Sequence, residues 1–266
     1  MEQHDSMPFA VITGASSGIG YELAAQFARH GFDILVVAED GRLEEARKEL
    51  SAQGANVESL RVDLARFEGV ETLNRQIQAS GHPVDALAIN AGVGVSGEFW
   101  KTPLDAQLNL VNLNVTSAVH LTHRVLPAMV MRNEGRILFT SSIAATTPGP
   151  FMSSYNASKA FLKSFAEGIR NELKDTGVTV TTLMPGATET DFFRRAGAED
   201  TKLGASEKDD AAEVAREGFD ALMAGKDHVI AGSFKNKVQA TMAHVLPDPM
   251  TADMHRKQSE PGSAHR

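Results

Sequence analysis

Tyr155 and Lys159 stand four positions apart in Tyr155-Asn156-Ala157-Ser158-Lys159. On a helix that spacing puts both side chains on one face. A free phenol titrates near pKa ~10, too high for a base at neutral pH, and an ammonium a few ångströms away favours the phenolate and lowers that value. Ser142 lies thirteen positions before Tyr155, just after a short apolar run. Hydride transfer to a carbonyl needs a proton delivered to the developing alkoxide, and oxidation of an alcohol needs the reverse. Tyr155 can serve either direction, while the Ser142 hydroxyl holds the same oxygen in position. A tyrosine and lysine so spaced also occur on helix faces of no consequence, so the reading depends on whether a hydride carrier has a place to bind.

Thr13-Gly14-Ala15-Ser16-Ser17-Gly18-Ile19-Gly20 provides such a place. Gly14, Gly18 and Gly20 let the backbone turn tightly and approach a pyrophosphate, whose charge then meets the free N–H groups of Ser16, Ser17 and Ile19 and the positive end of a helix dipole. The same string can be an ordinary strand-to-helix turn, and its position after the first apolar run is what argues against that. Glu39 follows nineteen positions after Gly20, where an acid accepts hydrogen bonds from the adenosine ribose. A carboxylate there repels a 2′-phosphate, so NAD(H) is favoured; NADP(H) is not excluded, because Arg42 is close enough to pair a phosphate. Asp63 and Leu64 close the third apolar run, where Asp63 either accepts from the adenine amine while Leu64 packs on the ring, or is a plain helix cap. Asn90-Ala91-Gly92 follows the fourth run, with side chains small enough for a cofactor to lie against backbone.

The elements that must position these residues read as parallel strands joined by crossover helices. Seven apolar runs, at 9–12, 32–38, 57–62, 84–89, 136–140, 178–184 and 228–231, alternate with helical patterns near 18–30, 42–53, 67–80, 104–133, 153–175 and 210–224. Glycines at 31, 54, 81, 135 and 177 stand where left-handed helix caps are expected. The fold class implied is α/β: a single-domain Rossmann fold, doubly wound on a seven-stranded parallel sheet with helices on both faces. Residues 1–246 form this domain, with a substrate lid at about 187–206. From Pro247 the core period disappears, which predicts a tail that is flexible or docked on a partner subunit.

Composition narrows the remaining classes. A net charge of −8 and a pI near 5.6 disfavour nucleic acid and anionic membrane surfaces as partners. The absence of cysteine removes disulfides and thiolate chemistry. Met1 to Phe9 carries Glu2 and Asp5, unlike a signal peptide, and no run approaches the roughly 20 apolar residues of a membrane span. A cytoplasmic protein is expected.

Taken together, the Thr13–Gly20 loop, Asn90-Ala91-Gly92, Asn114, Ser142, Tyr155-x-x-x-Lys159 and Pro185-Gly186-x-x-x-Thr190 resemble the short-chain dehydrogenase/reductase family, over roughly residues 8 to 232. The resemblance implies that Asn114 is a fourth catalytic member, holding a water that relays protons to Lys159. It implies also that Lys159 binds the nicotinamide ribose and that Pro185, Gly186, Thr188 and Thr190 line the nicotinamide. Asn112 lies two positions from Asn114 and cannot share its face; the family's spacing selects Asn114. Ile89 departs from the family's usual asparagine. A homodimer or homotetramer is implied, with Leu104, Leu108, Leu121 and Leu126 fitting the buried face of the 104–133 helix.

Substrate identity is not legible, but Phe99, Trp100, Phe151, Met152, Phe192 and Phe193 in the segments expected to line the pocket suggest an apolar substrate body. His120 and His123 share a helix face without a third ligand at metal spacing, so no metal site is expected. A non-catalytic dinucleotide-binding protein would be marked by loss of Tyr155 or Lys159, and both are present. An enoyl reductase would place its lysine further from the tyrosine.

Overall fold

Strand β1 (Phe9–Thr13) is buried at all five positions, as a strand covered by helices on both faces must be. The computed structural model describes residues 7–243 and 247–265; the acidic start, Glu2 and Asp5, lies outside the described residues. Strands β2 (Asp33–Ala38), β3 (Val57–Arg61), β4 (Val84–Ile89), β5 (Gly135–Thr140), β6 (Val178–Pro185) and β7 (His228–Ala231) complete a seven-stranded sheet. Its order is β3-β2-β1-β4-β5-β6-β7, parallel throughout. The seven apolar runs thus became seven strands in a single Rossmann-type domain. The winding reverses between β1 and β4, which opens a crevice above the carboxyl ends of these strands.

Helices α1 (Gly18–Arg29), α2 (Leu43–Ser51), α3 (Phe67–Ala79), α4 (Leu104–Val111), α5 (Ser117–Arg132), α6 (Ser153–Glu172), α7 (Phe192–Ala196), α8 (Lys202–Ala205), α9 (Ala211–Met223), α10 (Phe234–Ala243) and α11 (Asp248–Ser259) surround the sheet. On one face Leu23 and Phe27 of α1 meet Val214 and Phe219 of α9 over Ile12 and Ile34. On the other, Leu73 of α3, Leu121 and Met129 of α5 and Leu162 of α6 cover Val11, Leu87 and Phe139. Each such side chain stabilises the fold by about 1.5–3 kcal/mol of burial. No helix among the described residues is long and apolar enough to cross a membrane.

Three local features differ from the sequence pattern. The 104–133 segment is interrupted by a π-helical turn at Asn112–Thr116, a local widening often found at functional sites. Helix α5 ends on Asn133, whose φ of 55° supplies the left-handed cap expected of Gly135. Beyond Pro247, α11 and a following turn pack on α8 of the same chain. The inward face of α11 carries Thr251, His255 and Ser259, and this polar stripe is why hydrophobic periodicity reveals no helix there.

Candidate active site

The β1–α1 turn shows why glycine is needed in the cradle. Gly14 has φ +69°, and a Cβ on Gly20 would stand 2.1 Å from the Gly14 carbonyl oxygen and 2.5 Å from Asn90 Nδ2. Thr13 accepts through Oγ1 from the backbone N–H of Asn90 (3.0 Å) and of Ala91 (3.1 Å), which joins the β1 and β4 ends into one rigid floor. Ser17 makes no side-chain cap and the first turn of α1 carries no acid, so that helix end presents N–H groups to an anion. The cradle is therefore shaped and polarised for a pyrophosphate, and a nicotinamide dinucleotide fits the residues present.

One cavity runs from this cradle to β5 and β6. Each residue assigned above to the cofactor or to proton transfer lines it, apart from Asn114. At its β2 end are Glu39 and Asp63. Both Asp63 carboxylate oxygens are engaged, Oδ1 by Ala65 N at 2.9 Å and Oδ2 by Arg66 Nε at 3.2 Å, while α3 begins beyond it with Arg66 at its N-cap and no side-chain cap bond. Around Glu39 lies an ionic lattice that no motif indicated. Arg42 pairs with Asp191 at 2.7 Å, Arg195 with Asp40 at 3.3 Å, and Ser16 Oγ donates to Asp40 at 2.8 Å.

At the other end, Ser142 closes β5 and Tyr155 and Lys159 project from the first turns of α6. Lys159 is 4% exposed, and Nζ donates to Thr140 O at 2.8 Å while standing 5.7 Å from the Tyr155 ring centre. Ser141 Oγ donates to Lys159 O at 2.7 Å, which ties the helix to the strand end. Burial pushes the Lys159 ammonium down to about 8. Burial also pushes the Tyr155 phenol up to about 12, with the Ser142 hydroxyl pulling the other way. Desolvation thus outweighs the effect expected from an adjacent ammonium, and the phenol is held protonated. Ala144 N donates to Ser142 Oγ at 3.1 Å, which fixes the rotamer of that hydroxyl.

Asn114 sits in the π turn, 1% exposed and behind the cavity wall, while Asn112 faces solvent. Its Nδ2 donates to Val93 O and Ser158 Oγ, both at 3.0 Å, and its Oδ1 accepts from Val93 N at 2.9 Å. Protein partners occupy this amide. Gly92 lies between Asn114 and Lys159, where a Cβ would come 3.2 Å from Asn114 Oδ1 and 3.3 Å from Lys159 Nζ.

The segment after β6 holds α7 and α8 across the cavity. Thr188 bridges to Asp209, whose carboxylate accepts from Asn236 Nδ2 at 2.7 Å. Phe192 lies 4.9 Å from Tyr155, ring centre to ring centre. Met152, Phe192 and Phe193 line the cavity, as expected from their segments, but Phe99, Trp100 and Phe151 do not. Phe99 and Trp100 lie in a short 3-10 turn that aims them at solvent, and Phe151 packs under Arg256 at 4.9 Å. The cavity wall also includes His255 and Gln258 of α11, which sequence pattern did not mark. His120 is paired with Glu71 at 2.6 Å, and no cluster of three or more metal-ligating side chains occurs among the described residues.

A family model described as short chain dehydrogenase matches residues 8–201. An uncharacterized oxidoreductase of Myxococcus xanthus is 32% identical over 242 residues, covering 91% of this chain and 93% of the relative. A short-chain dehydrogenase from Sphingobium yanoikuyae, solved in complex with NADPH, is 31% identical, with a TM-score of 0.78 over 84% of this chain and 87% of that one. A short chain dehydrogenase/reductase from Burkholderia phymatum, solved in complex with NAD, is 25% identical, with a TM-score of 0.81 over 98% and 99%.

Proposed function

This chain belongs to the short-chain dehydrogenase/reductase family of oxidoreductases, and we propose that it interconverts a carbonyl and a secondary alcohol using NAD(H) in preference to NADP(H). The observation that carries the reading is the placement of Ser142, Tyr155 and Lys159 on the wall of the cavity that also contains the glycine cradle. When bound, the dinucleotide supplies or accepts the hydride. The protein supplies the proton and the alignment.

Tyr155, held protonated by burial, gives its hydroxyl proton to the developing alkoxide in carbonyl reduction and takes it back in alcohol oxidation. Ser142 Oγ holds the reacting oxygen and limits the carbonyl to one orientation. Lys159 binds the nicotinamide ribose and, at neutral pH, gives the site its positive charge. Asn114 acts as a positioning residue: by bonding Ser158 and Val93 it fixes the residue before Lys159 against the loop after β4. Pro185, Gly186, Thr188 and Thr190 line the nicotinamide end, and the cradle residues bind the pyrophosphate.

The preference for NAD(H) rests on charge. Arg42, Arg194 and Arg195 pair with Asp191 and Asp40, Arg61 Nε meets the Glu39 carbonyl oxygen, and the free carboxylate offered to the adenosine ribose is that of Glu39. A 2′-phosphate meets repulsion there. A homo-oligomer is supported by α4, where Leu104, Leu108 and Val111, spaced by four and three, are 69%, 53% and 40% exposed in the single chain. Leu104 and Leu108 belong to the face the resemblance assigned to burial, and a second copy would cover them, whereas Leu121 and Leu126 of that face pack into this chain's own core.

Fluorescence titration with NADH and NADPH, followed by reduction of ketones with each, tests the reading. Tighter NADH binding and NADH-dependent turnover are expected. Failure to bind either dinucleotide overturns it.

A further inference from the structure

We infer that a corner of the substrate cavity formed by Asn156 and by His255 of the C-terminal helix recognises a hydrogen-bond donor, a hydroxyl or an N–H, carried by the substrate away from its reacting carbonyl. This rests on the proposal that the cavity takes a carbonyl compound, and it specifies that substrate further. The same cavity is lined by Met152, Phe192 and Leu203, so the class is an apolar ketone bearing one donor arm.

The first observation is the character of α11. A helix docked only for stability turns apolar side chains inward, yet α11 buries Thr251, His255 and Ser259, spaced by four. Its end is fixed to the lid of its own chain: Gly262 N donates to Asp200 Oδ2, Ala264 N to Asp200 O and Lys202 N to Ser263 Oγ, each at 2.9 Å. His255 is therefore held at the cavity wall by a built contact.

The second observation is the arrangement of donors and acceptors. Asn156 Nδ2 donates to Thr147 O at 3.1 Å, and a carbonyl can accept but not donate, so the amide orientation is set. Asn156 Oδ1 is then left buried without a hydrogen-bond partner among the described residues. The same Nδ2 faces His255 Nε2 at 3.4 Å, which makes Nε2 an acceptor and leaves the ring proton on Nδ1, 3.0 Å from Ser259 Oγ. Burial disfavours the imidazolium, so the ring remains neutral and Nε2 keeps its lone pair. A 3.4 Å contact is long for a hydrogen bond and engages that lone pair weakly.

His255 Nε2 thus offers a weakly engaged lone pair on the wall that also holds Tyr155, and Asn156 Oδ1, enclosed beside Gly149, meets a ligand donor when its amide turns toward the cavity. A buried acceptor without a donor is costly, and a ligand hydroxyl or N–H relieves that cost where a methylene cannot.

The test uses the full chain holding NADH and two matched ketones, one with a hydroxyl a few carbons from the carbonyl and one with hydrogen in its place. Calorimetric binding and steady-state reduction are both measured. Wild-type protein should favour the hydroxyketone by roughly 10- to 100-fold in affinity and in kcat/KM. His255→Phe should reduce that ratio to about 1 while still reducing the plain ketone, and His255→Gln, which keeps an acceptor, should restore part of it. Equal handling of the two ketones by wild type overturns the inference, whatever the fate of the variants, and leaves the proposed reaction standing; a water satisfying Asn156 would give this result. Undiminished discrimination in His255→Phe overturns it also. Tight, discriminating binding without any reduction would instead remove the proposed reaction and leave the donor-recognising corner in place.

Discussion

The two ends of the cofactor cavity are built on opposite electrostatic principles. At the β5–α6 end a lysine is 4% exposed, faces a backbone carbonyl rather than an acid, and is shifted by burial. At the β2 end Arg42, Arg194 and Arg195, with side chains 42–60% exposed, pair with Asp40 and Asp191, 30–31% exposed, in contact with solvent. Desolvation controls the first region, and screened pairing controls the second. Substitutions at the dry end should therefore have large effects that are insensitive to salt. Those at the ionic end should be small, and should fade as salt rises.

The largest expected effect is at Tyr155. Tyr155→Phe removes one hydroxyl and should cut turnover by roughly 10²- to 10⁴-fold, the range for loss of a general acid. NADH affinity, measured by fluorescence titration, should hardly change. Turnover within a factor of two of wild type would show that the dry end is not where the proton moves.

Lys159 gives the next. Its burial lowers its titration from 10.5 to about 8, so between these values the unfolded chain holds a proton that the folded protein has released. Stability of the wild type should thus rise as pH increases from about 8 towards 10.5, and the burial penalty is complete below pH 8. Lys159→Met removes the penalty along with the Thr140 hydrogen bond, and should stabilise the fold at pH 7 by about 1–3 kcal/mol while abolishing turnover. Urea unfolding at pH 7 and pH 9.5 checks both parts, since the variant should lack the pH 8–10 rise. Destabilisation at pH 7 would mean that the hydrogen bond to Thr140 outweighs the buried charge.

Glu39 carries a smaller effect. Glu39→Ser keeps a hydroxyl acceptor for the ribose and removes the charge, and should move the NADH-to-NADPH affinity ratio towards NADPH by roughly tenfold at low salt, about 1.4 kcal/mol. The ratio should narrow in 0.5 M salt, where exposed charges are screened. A shift that persists unchanged in salt would place Glu39 in the dry class.

How well each region could be read in advance follows the same division. That Tyr155, Lys159 and Ser142 line one cavity was legible because fixed spacings along one helix and one strand end bring them together. The seven strands were legible because parallel sheet strands bury both faces. Asn114 was identified by residue but not by contact, since an expected single helix contains a π turn that no periodicity announces. The Asp40, Arg42, Asp191 and Arg195 lattice joins residues about 150 positions apart, and exposed charges at that separation leave no local pattern. The α11 stripe escaped because it is polar, and two glycines were given roles they do not hold, since Asn133 rather than Gly135 caps α5 and α6 ends at Leu173, before Gly177, which has no positive φ. The expected fall in the Tyr155 pKa failed because spacing reports proximity and not desolvation.

The ionic lattice yields the smallest prediction, and the one that most directly tests the contrast. Asp191 accepts from Arg42 at 2.7 Å and pairs with Arg194 at 3.0 Å, these two guanidiniums hold its carboxyl below the usual range, and Arg195 lies 3.9 Å away. It is therefore the residue whose loss disturbs the lattice most. Because the pairs are solvent-exposed, Asp191→Asn should cost less than about 1 kcal/mol of stability, and most of that should vanish in 0.5 M salt. Freed from Asp191, Arg42 becomes available to a 2′-phosphate, so NADPH affinity should rise a few-fold at low salt. Parallel urea titrations and NADPH binding at 20 mM and 500 mM salt decide the point. A salt-independent loss of several kcal/mol would mean that the β2 end behaves like a buried ion pair, and the division of the cavity into a dry and a screened half would fail.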